Sequence, residues 1–394
     1  MSQAHKGSRL LIKDAIYAVP FESTHFNFNE DVIGIRQGDL VEPLGNDIYS
    51  MREDEGRYGG AVLIEDGTTN LASNPFNGGI GRQGSGNITT ITETEGQFAG
   101  WYKTTINIAN TTSEYLAGIV LFRYYKESAI SYYSVSMDFY STNKSIVPVV
   151  SNTEIPEMNM VEVGANRWEC NAIPIPAGTN SATLPIYLKN LGGAKDGDVI
   201  YFRNKQAEKN TVTTSYTPYG TTRGMGNISY PTEVFNPKSF TINMWVKWKK
   251  LDDSYNSLFE CQDNPENRFL WMLAPMSSGK NLSFISASLV DYYSFSANNT
   301  TPVVGRWYMY TITYDGSKII QYVDGAVVST HNIKYPPDPL GANVYIGSGA
   351  TRVGNALIDE VVILPNAVTS EEVSSWFIAG TPFYNPYDYR GYAY

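Results

Sequence analysis

Apolar and polar residues alternate along many short stretches of this chain, a period typical of β-strands with one buried face. At positions 133–139 the odd positions hold Tyr, Val, Met and Phe, while the even positions hold Ser and Asp. Positions 240–248 and 182–188 alternate in the same way, although Pro185 predicts that the latter strand lies at a sheet edge. Many strands without intervening helices predict an all-β fold built from sandwiches.

Turn and cap signals sharpen this pattern in the second half of the chain. Asp-Gly dipeptides at 315–316 and 324–325 each stand between apolar runs. Because Asp-Gly favours the tight turns of hairpins, these residues predict a β-meander. The sequence Thr-Ser-Glu-Glu at 369–372 fits a capping box and is followed by an apolar stripe. We therefore predict one short helix near the end of the chain.

The texture of the sequence divides the chain into four regions. Residues 1–70 are irregular and hold only short apolar pieces, so we interpret them as an attachment or assembly segment, with a plain N-terminal extension as the alternative. Residues 71–220 and 221–380 each carry enough strand signals for one sandwich. Residues 381–394 form a tail rich in tyrosine, which we expect either to pack against a neighbouring subunit or to fray.

Composition and charge exclude several function classes. Hydrophobic residues make up 42% of the chain and aromatic residues 13%, which is enough apolar material for sizeable cores. The formal net charge of −10 disfavours nucleic acid as a partner, because phosphates repel an acidic surface. No apolar run is long enough to insert into a membrane, and the first residues lack the pattern of a secretory signal. Cys170 and Cys261 lie in different predicted domains, which argues against a disulfide framework.

The acidic residues do not form a convincing catalytic pair. Asp359 and Glu360 are adjacent and therefore point to opposite faces of a strand, whereas the paired acids of a glycosidase share a face. Glu93 and Glu95 do alternate, but their polar surroundings favour a solvated strand face. The three histidines are isolated from one another, at His5, His25 and His331. We therefore predict neither catalysis nor a metal site of His or Cys ligands.

Binding is better supported than catalysis, because sugars are held by aromatic faces together with amide and carboxylate hydrogen bonds on loops. The glycan-binding candidates are Asp291, Tyr292, Tyr293, Asn298, Asp263, Trp101 and Tyr102. The candidates for assembly contacts are Tyr384, Tyr387 and Tyr389 in the tail. The alternative is that the tyrosines fill strand faces and the amides cap turns.

The second predicted sandwich also resembles a known family. The segment Gly-Asn-Ala-Leu-Ile-Asp-Glu-Val-Val-Ile at 354–363, followed by 366–373, looks like the closing signature of laminin-G-like domains. The meander and the opening strand at 240–247 fit the same family over about 150 residues. The resemblance implies the concanavalin A-type lectin fold for residues 221–380.

The first predicted sandwich resembles the jelly-roll carbohydrate-binding modules of phage proteins. Trp168 fits the usual mid-domain tryptophan, and residues 197–208 fit the last strand. In related modules an Asp at the position of Arg203 helps to hold a structural calcium ion. Because a guanidinium stands here instead, the resemblance implies no cofactor and leaves calcium binding in doubt.

Two junction segments carry a further resemblance. Residues 61–71 look like the Glu-Glu-Gly-Thr-Thr-Asn-Leu lead-in of phage and prophage minor structural and tail-fibre proteins, and 214–218 resemble their interdomain linker. The resemblance implies a virion protein, made in the host cytoplasm and released by lysis. It would bind host cell-surface polysaccharide or other virion proteins, commonly as a homo-oligomer such as a trimer.

Three alternatives to this interpretation stay open. The chain could be a decoration or assembly protein that uses lectin folds only as interfaces. It could be a glycan-cleaving enzyme whose acids come from separate strands. It could also be a bacterial surface adhesin exported without a classical signal.

Overall fold

The chain folds into two compact units. The computed structural model describes residues 17–19, 50–52, 57, 61–72, 90–106, 114–164, 166–232, 235–264, 267–277, 279–288, 291–334, 341–349 and 352–380. The first sandwich comprises the described residues of Gly67–Gly224. The second sandwich comprises those from Met225 onward together with those up to Asp66. None of the helices in these described parts is long and apolar enough to span a membrane.

Antiparallel strands make up the first sandwich. Its strands are β4 (Thr68–Thr69), β5 (Thr90–Thr92), β6 (Tyr102–Thr105), β7 (Tyr115–Tyr125), β8 (Ser131–Ser141), β9 (Ile146–Val150), β10 (Met158–Asn159), β11 (Val161–Gly164), β12 (Arg167–Ile175), β13 (Ser181–Asn190), β14 (Val199–Glu208) and β15 (Thr222–Arg223). A 3-10 turn lies at Gly96–Phe98. The two larger sheets have the strand orders β10-β9-β13-β7 and β11-β12-β8-β14-β6-β5, and β4 pairs with β15.

The second sandwich draws strands from both ends of its sequence. They are β1 (Tyr17–Val19), β2 (Ser50–Arg52), β3 (Ala61–Ile64), β16 (Ile228–Pro231), β17 (Phe240–Trp248), β18 (Asn256–Asn264), β19 (Asn267–Met276), β20 (Gly279–Ala287), β21 (Tyr292–Ser296), β22 (Trp307–Tyr314), β23 (Lys318–Val323), β24 (Ala326–Asn332), β25 (Asn343–Ile346) and β26 (Ala356–Leu364), followed by helix α1 (Ser370–Gly380). One sheet has the order β2-β3-β26-β17-β22-β23-β24, with β1 also on β26; the other has the order β16-β25-β18-β19-β20-β21. The prediction of an all-β chain is confirmed.

Strand β3 belongs to the second sandwich, although it precedes the whole first sandwich in sequence. Its register with β26 places Val62 opposite Ile358 and Leu63 opposite Leu357. All four residues of β3 are buried. The short apolar pieces before residue 70 are too few for a core of their own. In the structure these pieces complete a core whose other strands lie more than 150 residues later.

The local turn and cap predictions are confirmed. Asp324 and Gly325 both have positive φ, at 51° and 78°, between β23 and β24, as a tight hairpin turn requires. At the start of α1 the Thr369 amide donates to the Glu372 carboxylate at 2.7 Å, and the Glu372 amide donates to the Thr369 hydroxyl at 3.2 Å. This reciprocal pair is a capping box. Helix α1 then packs Val373 against Trp245.

The prediction of an edge strand around Pro185 is wrong. Strand β13 lies between β9 and β7. Pro185 is accommodated because the β13–β7 register shifts between Leu184 and Pro185, and the pairing of β13 with β9 begins only at Ile186. The proline therefore stands at a bulge, where its missing N–H interrupts no regular ladder.

An ion pair is buried in the second sandwich. Glu260 on β18 is fully buried, and its carboxylate accepts hydrogen bonds from Nε and Nη2 of Arg352 at 2.7 and 3.1 Å. A Cβ atom at Gly349 would overlap this carboxylate, so a larger residue there would displace Glu260 from its place. Around it the core is dominated by large aromatic side chains such as Trp271 and Phe259. The bidentate pair therefore joins the loop before β26 to the sheet.

Candidate functional site

The first sandwich contains a pocket of about 110 Å³. It is lined by Gly100, Tyr102, Arg203, Asn204, Lys205, Tyr216 and Tyr219. Cavities that enclose whole drug-sized ligands span roughly 300–1,000 Å³. This pocket therefore fits one substituent and the atoms next to it, rather than an entire oligosaccharide.

A bulge in β14 creates one wall of the pocket. The register of β14 with β8 shifts between Arg203 and Gln206, and Asn204 takes a left-handed conformation with φ of 49°. In a regular strand successive side chains point to opposite faces. Here Arg203, Asn204 and Lys205 are consecutive, and all three line the pocket because the backbone leaves the regular pleat.

The opposite wall comes from the segment that follows the last strand of the larger sheet. The Asn70 side-chain amide donates to the carbonyl of Lys205 at 3.0 Å and to that of Thr217 at 2.8 Å. The Thr217 amide donates in turn to the Gln206 side chain at 2.7 Å. These bonds hold Thr217 against the bulge, so that Tyr216 and Tyr219, 41% and 49% exposed, flank the pocket.

The two junction segments recognised in the sequence therefore meet in space. Strand β4, in the lead-in, pairs with β15, just beyond the linker, in the register Thr69 to Thr222 and Thr68 to Arg223. Asn70 lies in the lead-in and Thr217 in the linker. The two segments close one end of the first sandwich and position the pocket tyrosines.

Asp138 on β8 anchors the arginine of the pocket. Its Oδ2 accepts hydrogen bonds from Nε of Arg203 at 3.1 Å and Nδ2 of Asn204 at 2.8 Å, while Oδ1 accepts one from Arg167 at 3.0 Å. The Arg203 guanidinium also lies over the Trp101 ring, 4.5 Å from its centroid. Two guanidinium groups on one carboxylate are incompatible with a cation there, so the residues around Arg203 do not fit calcium.

Lys205 is the unusual member of the pocket. Only 6% of the residue is exposed, and its Nζ atom is buried without a hydrogen-bond partner among the described residues. Burial lowers the pKa of the ammonium from its ordinary value of 10.5 to about 8. At neutral pH the side chain is therefore still charged. Lys205 lines the cavity, and none of the described carboxylates forms a hydrogen bond with its ammonium.

The structure gives different environments to the two aromatic candidates of the first sandwich. Tyr102 lines the pocket, and burial together with the nearby Tyr216 raises its pKa. Trp101 is 6% exposed, with Arg203 on its ring and Phe98 at 5.4 Å between ring centroids. Tyr102 therefore remains available to a ligand, whereas Trp101 supports Arg203 from beneath.

The acidic and aromatic candidates of the second sandwich are tied to its backbone. The Asp291 carboxylate accepts hydrogen bonds from the Tyr293 hydroxyl at 2.7 Å and from the Tyr292 amide at 2.8 Å. The Tyr293 hydroxyl also accepts the Lys334 amide at 3.1 Å. The Tyr293 side chain therefore holds the local backbone, whereas the Tyr292 ring is exposed.

The remaining candidates are not brought together with this group. Asn298 is exposed in the turn after β21, and none of the hydrogen bonds within the described residues joins it to Asp291. Asp263 lies within β18, where its side chain falls outside the described residues. Tyr384, Tyr387 and Tyr389 also lie outside the described residues, so their assembly role stays a prediction.

Comparison with known families identifies the second sandwich. Residues 222–374 match the family model described as the concanavalin A-like lectin/glucanases superfamily. The second sandwich is a concanavalin A-like domain. The resemblance stated for residues 221–380 is thereby confirmed. In this domain the meander β22–β24 and the closing strand β26 are the elements that carried the sequence signature.

Three solved structures illustrate what the chain is similar to. Domain 4 of AbnA, an extracellular arabinanase of Geobacillus stearothermophilus in complex with arabinotriose, is 18% identical, with a TM-score of 0.34, over 42% of this chain and 82% of that one. A SAP-like pentraxin of Limulus polyphemus is 19% identical, with a TM-score of 0.28, over 35% of this chain and 68% of that one. The CBM40 of a Ruminococcus gnavus sialidase is 13% identical, with a TM-score of 0.32, over 38% of this chain and 91% of that one. No curated protein sequence matches the chain significantly.

Sequence reasoning placed most candidates in the concanavalin A-like domain and missed most of the pocket. The sequence predicts Asn204 and Lys205 to be part of a regular last strand, and it predicts Tyr216 and Tyr219 to lie in or next to the linker. One signal was present: an Arg-Asn-Lys run follows the apolar run Val-Ile-Tyr-Phe within a single predicted strand, and such a run disturbs the period of two.

Proposed function

We propose that this chain is a non-catalytic surface protein of a phage virion, a tail fibre or similar appendage, that binds host-surface glycan. The pocket of the first sandwich is the observation that carries the glycan-binding part. The concanavalin A-like domain supports the same class of ligand. The lead-in and linker motifs support the virion part of the proposal, and with it a homo-oligomeric assembly.

The pocket has the side chains that sugar recognition needs. Tyr216 and Tyr219 expose flat apolar rings that can pack against the C–H faces of a sugar. Arg203 and the Asn204 side chain are held by Asp138 before any ligand arrives. A preorganised polar group loses little conformational entropy on binding, so this arrangement favours recognition.

The environments of the acidic residues support a non-catalytic role. The Asp359 carboxylate accepts the backbone amides of Arg57 and Glu360, both at 2.8 Å, and the residue is buried. Glu93 forms an ion pair with Lys103 at 2.7 Å. Each carboxylate therefore bonds to neighbouring protein groups, whereas the two acids of a glycosidase face a common substrate.

Alanine substitution of the pocket tyrosines tests the glycan-binding part. On an array of host-surface glycans, Tyr216→Ala and Tyr219→Ala are expected to weaken retention about tenfold or more, because each removes an exposed aromatic ring that lines the site. Tyr132→Ala is the matched control, since Tyr132 is 45% exposed in the same sandwich and does not line the pocket. The control is expected to bind like the wild type.

Other outcomes would favour the rival functions. If no glycan is retained while the chain still assembles onto particles, it is a decoration protein. Release of sugar fragments from host polysaccharide would identify an enzyme. Tail or capsid genes beside the gene of this protein, together with its presence in purified particles, would support virion membership. Unrelated neighbours and absence from particles would contradict it.

A further inference from the structure

The buried ammonium of Lys205 has a chemical requirement that the protein itself does not meet. Its Nζ atom has no hydrogen-bond partner among the described residues, and 94% of the residue is removed from solvent. Burying a charge is costly unless it is paired and hydrogen-bonded. The Asp138 carboxylate is bonded to two arginines and Asn204 and not to Lys205. Since none of the described residues accepts a hydrogen bond from the Lys205 ammonium, an anion that pairs with it would be supplied by a ligand.

The position of Lys205 shows where that anion would lie. Lys205 lines the same cavity as Arg203, Tyr102, Tyr216 and Tyr219. Its backbone is fixed by the hydrogen bond from Asn70, so the side chain starts from a defined place on the bulge. Two cations at a cavity of about 110 Å³ suit a single anionic group, and the tyrosine rings suit the apolar atoms attached to it.

We propose that this pocket binds a saccharide whose sugar ring carries an anionic substituent, a carboxylate, sulfate or phosphate, with the Lys205 ammonium turning from its buried position to contact the anion. The inference rests on the proposed glycan binding and deepens it, because it names the class of sugar. Arg203 adds a second positive charge, and the tyrosine rings contact the C–H face of the same sugar. A neutral sugar would leave the ammonium buried and unpaired, so the pocket discriminates against it.

Matched monosaccharides test the charge requirement directly. Binding of D-glucuronate, glucose 6-sulfate, glucose 6-phosphate and D-glucose to the full chain is measured by calorimetry or by NMR titration at pH 7. Glucuronate differs from glucose only in its carboxylate, and we expect at least one of the anionic sugars to bind about tenfold or more tightly than glucose. The three anionic sugars distinguish among the substituents. Inorganic sulfate and phosphate alone are expected to bind more weakly than the preferred sugar.

Lys205→Met tests the residue itself. The variant keeps the length and the apolar stem of the side chain and removes the charge, so the preference for the anionic sugar is expected to disappear. Lys144→Met is the control, because Lys144 is an exposed lysine of the same sandwich that lies outside the pocket. Equal preference in the wild type and Lys205→Met would overturn the assignment.

The pH dependence of sugar binding by the wild type gives a second test, which requires no substitution and so does not depend on whether a variant folds. Between about pH 7 and pH 9.5 the preference is expected to fall, because Lys205 loses its proton in this range. The other titratable groups at the cavity are tyrosines, which ordinarily titrate near pH 10, and burial raises the pKa of Tyr102 further. A preference that is constant over this range would contradict a role for Lys205.

The outcomes separate this inference from the proposed function. If neutral and anionic sugars bind equally and both depend on Tyr219, the glycan-binding proposal stands and the inference is wrong. If no saccharide binds, either here or on the array, both are wrong. If inorganic anions bind as tightly as the anionic sugars, the pocket is an anion site without sugar recognition, and this also overturns the inference.

Discussion

Lys205→Met is expected to increase the free energy of unfolding of the first sandwich by about 3 kcal/mol at pH 7. Burial lowers the pKa of the ammonium from 10.5 to about 8. Each unit by which the pKa in the folded chain lies below the pKa in the unfolded chain costs about 1.4 kcal/mol of unfolding free energy while the lysine is charged. Methionine removes the buried charge while keeping the packing of the stem. Hydrogen exchange of amides in β8 and β14 reports this sandwich separately from the second one.

The pH dependence of this effect has a defined sign. Between about pH 8 and 10.5 the unfolded chain binds more protons at Lys205 than the folded chain, so the stability of the wild type rises with pH. The advantage of Lys205→Met is therefore complete below about pH 8 and shrinks as the pH approaches 10.5. Lys144→Met is expected to change stability by less than about 0.5 kcal/mol, as surface substitutions usually do. A Lys205→Met variant no more stable than the wild type would show that the ammonium is solvated.

Stability and binding are expected to move in opposite directions at this residue. A lysine kept for packing alone would be improved by methionine at no cost to function. A lysine that binds an anion makes the empty sandwich less stable and repays this only in the complex, which is the usual trade-off at functional sites. The two measurements on one variant therefore distinguish a binding residue from a tolerated buried charge.

Local patterns were enough to predict the elements that surround the pocket. The alternation at 133–139 predicts β8, and in β8 Val135, Met137 and Phe139 are buried as expected. The two Asp-Gly turns and the capping box depend on neighbouring residues only. Such features can be predicted because the physical interactions that cause them lie within a few residues along the chain.

The pocket itself depends on contacts that are distant in sequence. Asn70 fixes both Lys205 and Thr217, which are more than 130 residues away from it. The left-handed conformation of Asn204 has no signal beyond the tolerance of asparagine for positive φ. The pairing of β3 with β26 likewise cannot be predicted from hydrophobic periodicity, because an apolar run of four residues does not indicate which strand it pairs with.

In the second sandwich the largest effect is expected from Arg352→Met, a loss of about 3 to 5 kcal/mol of unfolding free energy at neutral pH. Arg352 makes two hydrogen bonds to Glu260, whose side chain is fully buried. Burial already raises the pKa of Glu260 although Arg352 opposes this effect. Without the guanidinium the buried carboxylate keeps only the Ser257 hydrogen bond and the charge of Arg268, so it must either stay charged with weaker partners or take up a proton. Chemical denaturation of the second sandwich measures the loss.

Lowering the pH is expected to restore part of the stability of Arg352→Met. A carboxyl group whose pKa is raised in the folded state favours folding when it is protonated, and this advantage is lost as the pH rises through the folded pKa. As the pH is lowered from the raised folded pKa towards the ordinary value of 4.5, the cost should therefore decrease by up to about 1.4 kcal/mol for each pH unit. The wild type, in which the pair is intact, should respond less over the same range.

Two further variants distinguish a buried pair from a general loss of packing. Adding Glu260→Gln to Arg352→Met removes the unpaired charge, so the double variant is expected to regain much of the stability and to lose the pH dependence. Arg306→Met is the control for an exposed pair, because Arg306 bonds Asp324 at 2.9 Å with 60% of its side chain exposed, and its cost should stay below about 1 kcal/mol. If Arg352→Met and Arg306→Met cost the same, water reaches Glu260 and the pair is not buried in solution.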